Sequence, residues 1–253
     1  MSALLAHAPV PFLRTWNAEN RKIVDTRAGV VFLSLIALVV VGMSAVIAIW
    51  PGEQTLTFGT LLGSSVSMGL AMFMPILAIL AVTSEFSQRT LAVTFALEPR
   101  RGRVVAAKIA AALTMTAVLV VVALVVAATT VLLAAAMRGE TAVWDVDGGV
   151  LVGALVTLVL VVLQGTAFGL LLRSTPLAIV AYLLLPSLFA FVTMFISAIR
   201  DALPWFELSS ATVPLMEGLS LTGTEWAQLA SASAIWILLP GAIGVWRLLK
   251  GDL

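Results

Sequence analysis

The chain has 253 residues, 61% of them hydrophobic and 11% charged, with a formal net charge of +1 and a mean hydropathy of +1.13. That balance lies far outside the range of soluble globular domains, and the segments between apolar runs are too short to bury cores of their own. With no cysteine, a disulfide framework, a thiolate metal site and a cysteine nucleophile are excluded.

The opening residues MSALLAHAPVPFLRTW lack a basic start, a sustained apolar stretch and a small-residue cleavage site, so no cleaved signal peptide is expected. From Phe12 to Arg27, Leu13, Trp16, Ile23 and Val24 are spaced among Arg14, Glu19, Arg21, Lys22 and Arg27. This loose amphipathic pattern predicts a helix lying on the membrane surface, with a solvated leader as the alternative.

Six charge-free runs follow, at 28–52, 54–84, 109–137, 148–172, 174–199 and 226–246. Roughly 20 apolar residues cross the hydrocarbon, and lipid offers no partner for backbone polar groups, so each run must be helical. The expected fold is all-α and integral to the membrane, one domain over 1–253, with spans at 28–50, 58–82, 104–137, 149–172, 175–199 and 227–247. No breaker separates Val104 to Lys108 from the third run, so a helix of about 45 Å should carry Arg103 and Lys108 beyond the lipid. The connection from Arg173 to Pro176 is short. The segment 200–226 is predicted to form short, partly re-entrant helices that lay Trp205, Phe206, Leu215, Met216, Leu219 and Trp226 on the outer leaflet. Its breaks are expected at Pro204, Pro214, Gly218 and Gly223. Cytoplasmic termini put twelve of the fourteen Lys and Arg residues inside, as the positive-inside rule requires.

Every Asp, Glu, Lys and Arg lies at or beyond a span end. Proton- or sodium-coupled transport is disfavoured by that empty midplane. The sole histidine, His7, precedes the first run, which excludes an intramembrane HExxH metalloprotease and a Ser–His hydrolase. No GxxxxGK[ST] loop is present, so this chain cannot hydrolyse ATP by that route.

Residues 84–108, SEFSQRTLAVTFALEPRRGRVVAAK, are the most distinctive polar segment. Phe86, Leu91, Phe95 and Ala96 are expected to lie against neighbouring helices, and Pro99 to end the amphipathic stretch. Glu85 and Arg89, four apart, can form an intrahelical ion pair. The plain reading is a basic loop that only fixes topology. This segment, with its acid, Arg-Thr, hydrophobic turn, Glu-Pro-Arg and Lys opening a long helix, resembles the type-2 permeases of ATP-binding-cassette exporters. The six runs, the basic leader and the ending GVWRLLKGDL extend the resemblance over the whole chain.

The resemblance implies an ATP-driven efflux transporter, multi-pass in the cytoplasmic membrane. Its leader, 1–27, would form a connecting helix and 84–103 a coupling segment seated on a cytoplasmic ATPase, with 200–226 extracellular. Glu85, Phe86, Arg89, Thr90, Glu98, Arg100, Arg101 and Arg103 then form the contact to that ATPase. The implied partners are two copies of the ATPase, a second permease chain and membrane lipids, with no nucleic acid. ATP and Mg would sit on the ATPase, and this chain would bind no cofactor and be no enzyme itself.

Small residues four apart permit close helix packing: Gly59 and Gly63, Gly149 and Gly153, Gly165 and Gly169. Thr60, Ser64 and Ser67 form a polar stripe on the second span, followed by Met68, Met72 and Met74, with a kink expected at Pro75. The fifth span carries Phe191, Met194 and Phe195. These residues are the expected substrate pathway, and Met and aromatic side chains adapt to irregular apolar ligands. Ordinary helix packing accounts for the same residues. Two other functions remain open: a membrane assembly or signalling component that recruits a soluble partner, and a stand-alone secondary transporter.

Overall fold

The computed structural model describes residues 11–50, 56–88, 90–196, 202–218 and 220–250. Among the described residues ten helices run in order: α1 (Phe12–Asp25), α2 (Arg27–Ile49), α3 (Phe58–Ser87), α4 (Leu91–Leu97), α5 (Arg101–Arg138), α6 (Gly148–Leu172), α7 (Thr175–Phe195), α8 (Leu203–Phe206), α9 (Leu208–Glu217) and α10 (Gly223–Lys250). Among the described residues α2, α3, α5, α6, α7 and α10 are long and apolar enough to cross a membrane. Residues 197–199 of the expected fifth span lie outside the described set.

Both α3 and α10 contain a π turn, at Ser65–Leu70 and Ala234–Leu238. Each turn precedes a proline inside the same helix, Pro75 or Pro240. Proline removes one backbone donor and crowds the carbonyl four residues back, and a widened turn upstream is a common adjustment.

The bundle is built around α6. Gly165 meets the Pro75 carbonyl of α3 so closely that an added Cβ would lie 2.4 Å from the oxygen, and Gly169 rests on Val82. Gly244 of α10 touches the backbone of Leu170, and Gly153 touches that of Leu215 in α9. Gly149 instead donates its N–H to Asp147 at the start of α6. Gly59 packs on the Asp145 carbonyl, but Gly63 faces open space and takes no part in helix packing.

Three expectations about the segments between spans are corrected. The second span continues past residue 82 to Ser87, because Ser84 and Ser87 donate back to the Ala81 and Thr83 carbonyls and keep the turn helical. The helix of the third span, α5, starts at Arg101, two residues after Pro99, and its 38 residues extend about 57 Å. In the segment 200–226 the short helices are present as α8 and α9, but Leu215 is fully buried and Met216 packs on the main core. Pro214 sits inside α9 without ending it, while Gly218, at φ 137°, does end it. Glu207 caps α9 by accepting the Ser209 and Ser210 N–H groups at 2.9 and 2.6 Å. A capping box of Thr222 and Glu225 then starts α10 at Gly223, four residues before its expected start. Trp205, Phe206 and Trp226 are exposed, and Leu219 lies outside the described residues.

Candidate functional site

At the end of the bundle that carries most of the Lys and Arg, α1 folds across α5. Thr26 makes this possible by stopping α1 and capping α2, its hydroxyl accepting the Gly29 N–H at 3.1 Å. Gly29 lies against the Ile23 carbonyl, where no side chain would fit. The face that α1 turns inward is Trp16, Glu19 and Ile23, three and four residues apart, while Leu13 and Val24 are exposed. A carboxylate stands at the centre of this inward face, which the amphipathic pattern did not mark, and of the expected apolar residues only Ile23 is buried on it. Trp16 Nε1 donates to Thr114 Oγ1 at 3.1 Å and fixes the angle of the helix.

That carboxylate closes a ring of alternating charge. Lys22 Nζ lies 2.6 Å from Glu19 Oε1 and 2.5 Å from Glu85 Oε1. Lys108 Nζ lies 2.8 Å from Glu19 Oε2 and 3.3 Å from Glu85 Oε2. Thr94 of α4 donates to Glu85 Oε1 at 3.1 Å, and Lys108 donates to the Ala81 carbonyl. Side chains of Glu19, Glu85 and Lys108 are each 5% exposed, so Lys108 is enclosed by protein. The cause is α1, which brings an acid over the start of the third span and satisfies the ammonium there. Isolated buried charges cost several kcal/mol each, so burial on this scale requires such mutual pairing. Lys22 sits at the rim. Burial opposes its charge, but hydrogen bonds to Glu19 and Glu85 outweigh that and hold its pKa above the ordinary 10.5.

The ring ties four helices to one point: α1 through Glu19 and Lys22, the end of α3 through Glu85, α5 through Lys108 and α4 through Thr94. A cavity of about 500 Å³ opens beside it, with Arg14, Gln88, Val93 and Glu98 in its wall.

The short helix α4 has two different sides. Phe95 is buried with Val82, Val104, Val105, Leu170 and Leu248, and Phe86 and Leu91 pack on this cluster. Thr90, Val93 and Ala96 face outward. For Ala96 this corrects the expected packing position; the inward side is taken by Phe95 and Thr94.

The residues of the 84–103 segment divide among three helices. Glu85 and Phe86 end α3, Thr90 precedes α4, and Arg101 and Arg103 open α5. Glu98 is buried, accepts the Arg100 N–H and pairs with Arg103 at 3.7 Å. Arg101 lies over the Phe95 ring at 5.2 Å and donates to the Leu248 carbonyl. Arg100 is exposed. Arg89, and with it the expected Glu85–Arg89 pair, lies outside the described residues. Glu85 and Lys108 belong to the same sequence motif, but Glu19 and Lys22 were not grouped with them from sequence. The only local signal was the three-residue spacing of Glu19 and Lys22 on one helix face.

The expected pathway residues sit elsewhere. Thr60 forms a capping box with Thr57, and Ser64 donates to the Leu61 carbonyl. Ser67, Met68 and Met72 are exposed on α3. Phe191 and Phe195 are exposed and stack edge-on at 5.0 Å, and the side chain of Met194 lies outside the described set. Among the described residues no group of three or more His, Cys, Asp or Glu could hold a metal ion. No protein-family model matches the chain, and no curated protein matches it in sequence.

Proposed function

We propose that the chain is the membrane-spanning permease subunit of an ATP-driven exporter of the type-2 ATP-binding-cassette class. Its cargo is a hydrophobic or amphipathic small molecule, lipid or peptide, and separate cytoplasmic ATPase subunits supply the energy.

The observation that carries this reading is α4. This two-turn helix joins the second and third spans, is held on one side by Phe95 and the Thr94–Glu85 hydrogen bond, and presents Thr90, Val93 and Ala96 outward. A push on that outer side would reach α1, α3 and α5 together through the charge ring. Such a handle is what a permease without a nucleotide site of its own needs. In this reading two ATPase copies carry ATP and Mg, and a second permease chain covers the exposed Met68, Met72, Phe191 and Phe195. The basic end, with both termini, faces the cytoplasm.

The test is to purify the tagged chain from its native cell in mild detergent and assay for an accompanying ATPase with vanadate-sensitive activity. Val93→Arg should abolish that association while leaving thermal unfolding of the chain unchanged. Purification without any ATPase, in several detergents and in nanodiscs, would overturn the reading in favour of a non-transport membrane component.

A further inference from the structure

Arg173 ends α6 in a left-handed conformation, φ 53°. This geometry is normally left to glycine or asparagine, because Cβ crowds the following carbonyl. Its guanidinium lies 5.5 Å from the centre of the Phe86 ring. The Nε and Nη2 groups are shielded from solvent and donate to no acceptor among the described residues. Buried donors left without an acceptor are costly, and a guanidinium edge is shaped for two-pronged binding of an oxyanion.

Arg247 stands beside it. Gly244 lies so close to Leu170 that a Cβ there would approach within 2.7 Å. Arg247, three residues further along α10, therefore reaches the end of α6 and donates to the Leu171 carbonyl at 3.1 Å. Burial first, and then the neighbouring Arg247 charge, pull the Arg173 pKa below its usual value. Neither arginine pairs with a carboxylate among the described residues. The terminal carbonyls of α6 offset part of this positive charge and leave the rest unbalanced.

We propose that Arg173 and Arg247 form a phosphate-binding site at the basic end of the bundle. Arg173 would turn its Nε–Nη2 edge out from beside Phe86 to grip the phosphate of an anionic phospholipid headgroup, or a soluble phosphate, and Arg247 would hold a second phosphate oxygen. The site does not depend on the transport reading.

Native mass spectrometry of the full chain in a neutral detergent tests this with phosphatidylglycerol, phosphatidylcholine and inorganic phosphate as probes. One phosphatidylglycerol should bind in preference to phosphatidylcholine, whose choline cation the two arginines repel. Affinity should fall at least about tenfold in the R173Q/R247Q variant and stay unchanged in R21Q/R27Q, which removes equal charge from exposed positions. Displacement of the lipid by millimolar phosphate would identify the soluble ion as the ligand; retention would identify the headgroup. R247Q alone, at an exposed position, should weaken binding at least about threefold, and it decides the matter if R173Q does not fold. Equal phosphatidylglycerol binding by the wild type and these variants, or no preference over phosphatidylcholine and no phosphate binding, would overturn the proposal.

Discussion

Lys108 Nζ, two turns along α5, lies 2.8 Å from Glu19 Oε2 on the amphipathic α1. The contact joins residues 89 apart in sequence and makes α1 part of the bundle. Lys108→Met would leave two buried carboxylates with only the rim ammonium of Lys22 between them. The expected loss is about 3–5 kcal/mol, because removing one member of a buried ion group strands the others. Chemical unfolding in mild detergent measures it. In a double-mutant cycle, Glu19→Gln with Lys108→Met should cost less than the two single changes added, by about 1 kcal/mol or more. Additive costs would mean that the two side chains act independently.

Lys22 gives the ring a dependence on alkaline pH. Its pKa is raised in the folded chain, so its charge contributes stability that is fully present below the ordinary value of 10.5. That contribution is lost as pH rises through the raised value. The melting temperature of the wild type should therefore fall more steeply above pH 10.5 than that of Lys22→Met. Below that pH the two curves should run parallel, with the variant lower. Parallel curves throughout would show that Lys22 keeps its ordinary pKa.

Two glycines on different helices should answer differently to alanine. At Gly153 a Cβ would fall 1.7 Å from the Leu215 carbonyl oxygen, so Gly153→Ala must push α9 away from α6. A loss of about 1–3 kcal/mol is expected from such overpacking. At Gly63 nothing lies within 4 Å, and alanine there should be neutral or stabilising by up to about 1 kcal/mol through helix propensity. Thermal unfolding of the two variants side by side provides the comparison, and equal effects would contradict the packing described.

Phe95 holds α4 against the bundle. Phe95→Ala opens a cavity among Val82, Val104, Val105, Leu170 and Leu248 and removes the ring under Arg101. A cost of about 3 kcal/mol is expected, concentrated in α4. Amide hydrogen exchange should therefore accelerate across 91–97 well before it does in α6. Uniform acceleration, or none, would show that α4 is held by other contacts.

The number of spans and their approximate places were legible in the sequence because that property is local. A run of some 20 apolar residues in lipid has no alternative to the helix, whatever surrounds it. The Glu98–Pro99 break, the amphipathic α1 and the short helices after the fifth span were legible for the same reason: each depends on a few neighbouring residues.

Only the tertiary structure decided which side of each helix faces inward. Leu13, Trp16, Ile23 and Val24 read as the membrane-facing side of α1, yet Ile23 is buried in the bundle together with Glu19, which Lys22 of the same helix and Lys108 of α5 pair. Gly153 and Gly63 look alike in sequence, yet one meets a backbone carbonyl and the other open space. Arg173 read as a basic residue in a short connection, and its unpaired buried edge depends on Phe86 and α10. The physical reason is common to all three. A charge or a small side chain is favourable or costly according to what packs against it, and here that partner comes from another helix far away in sequence.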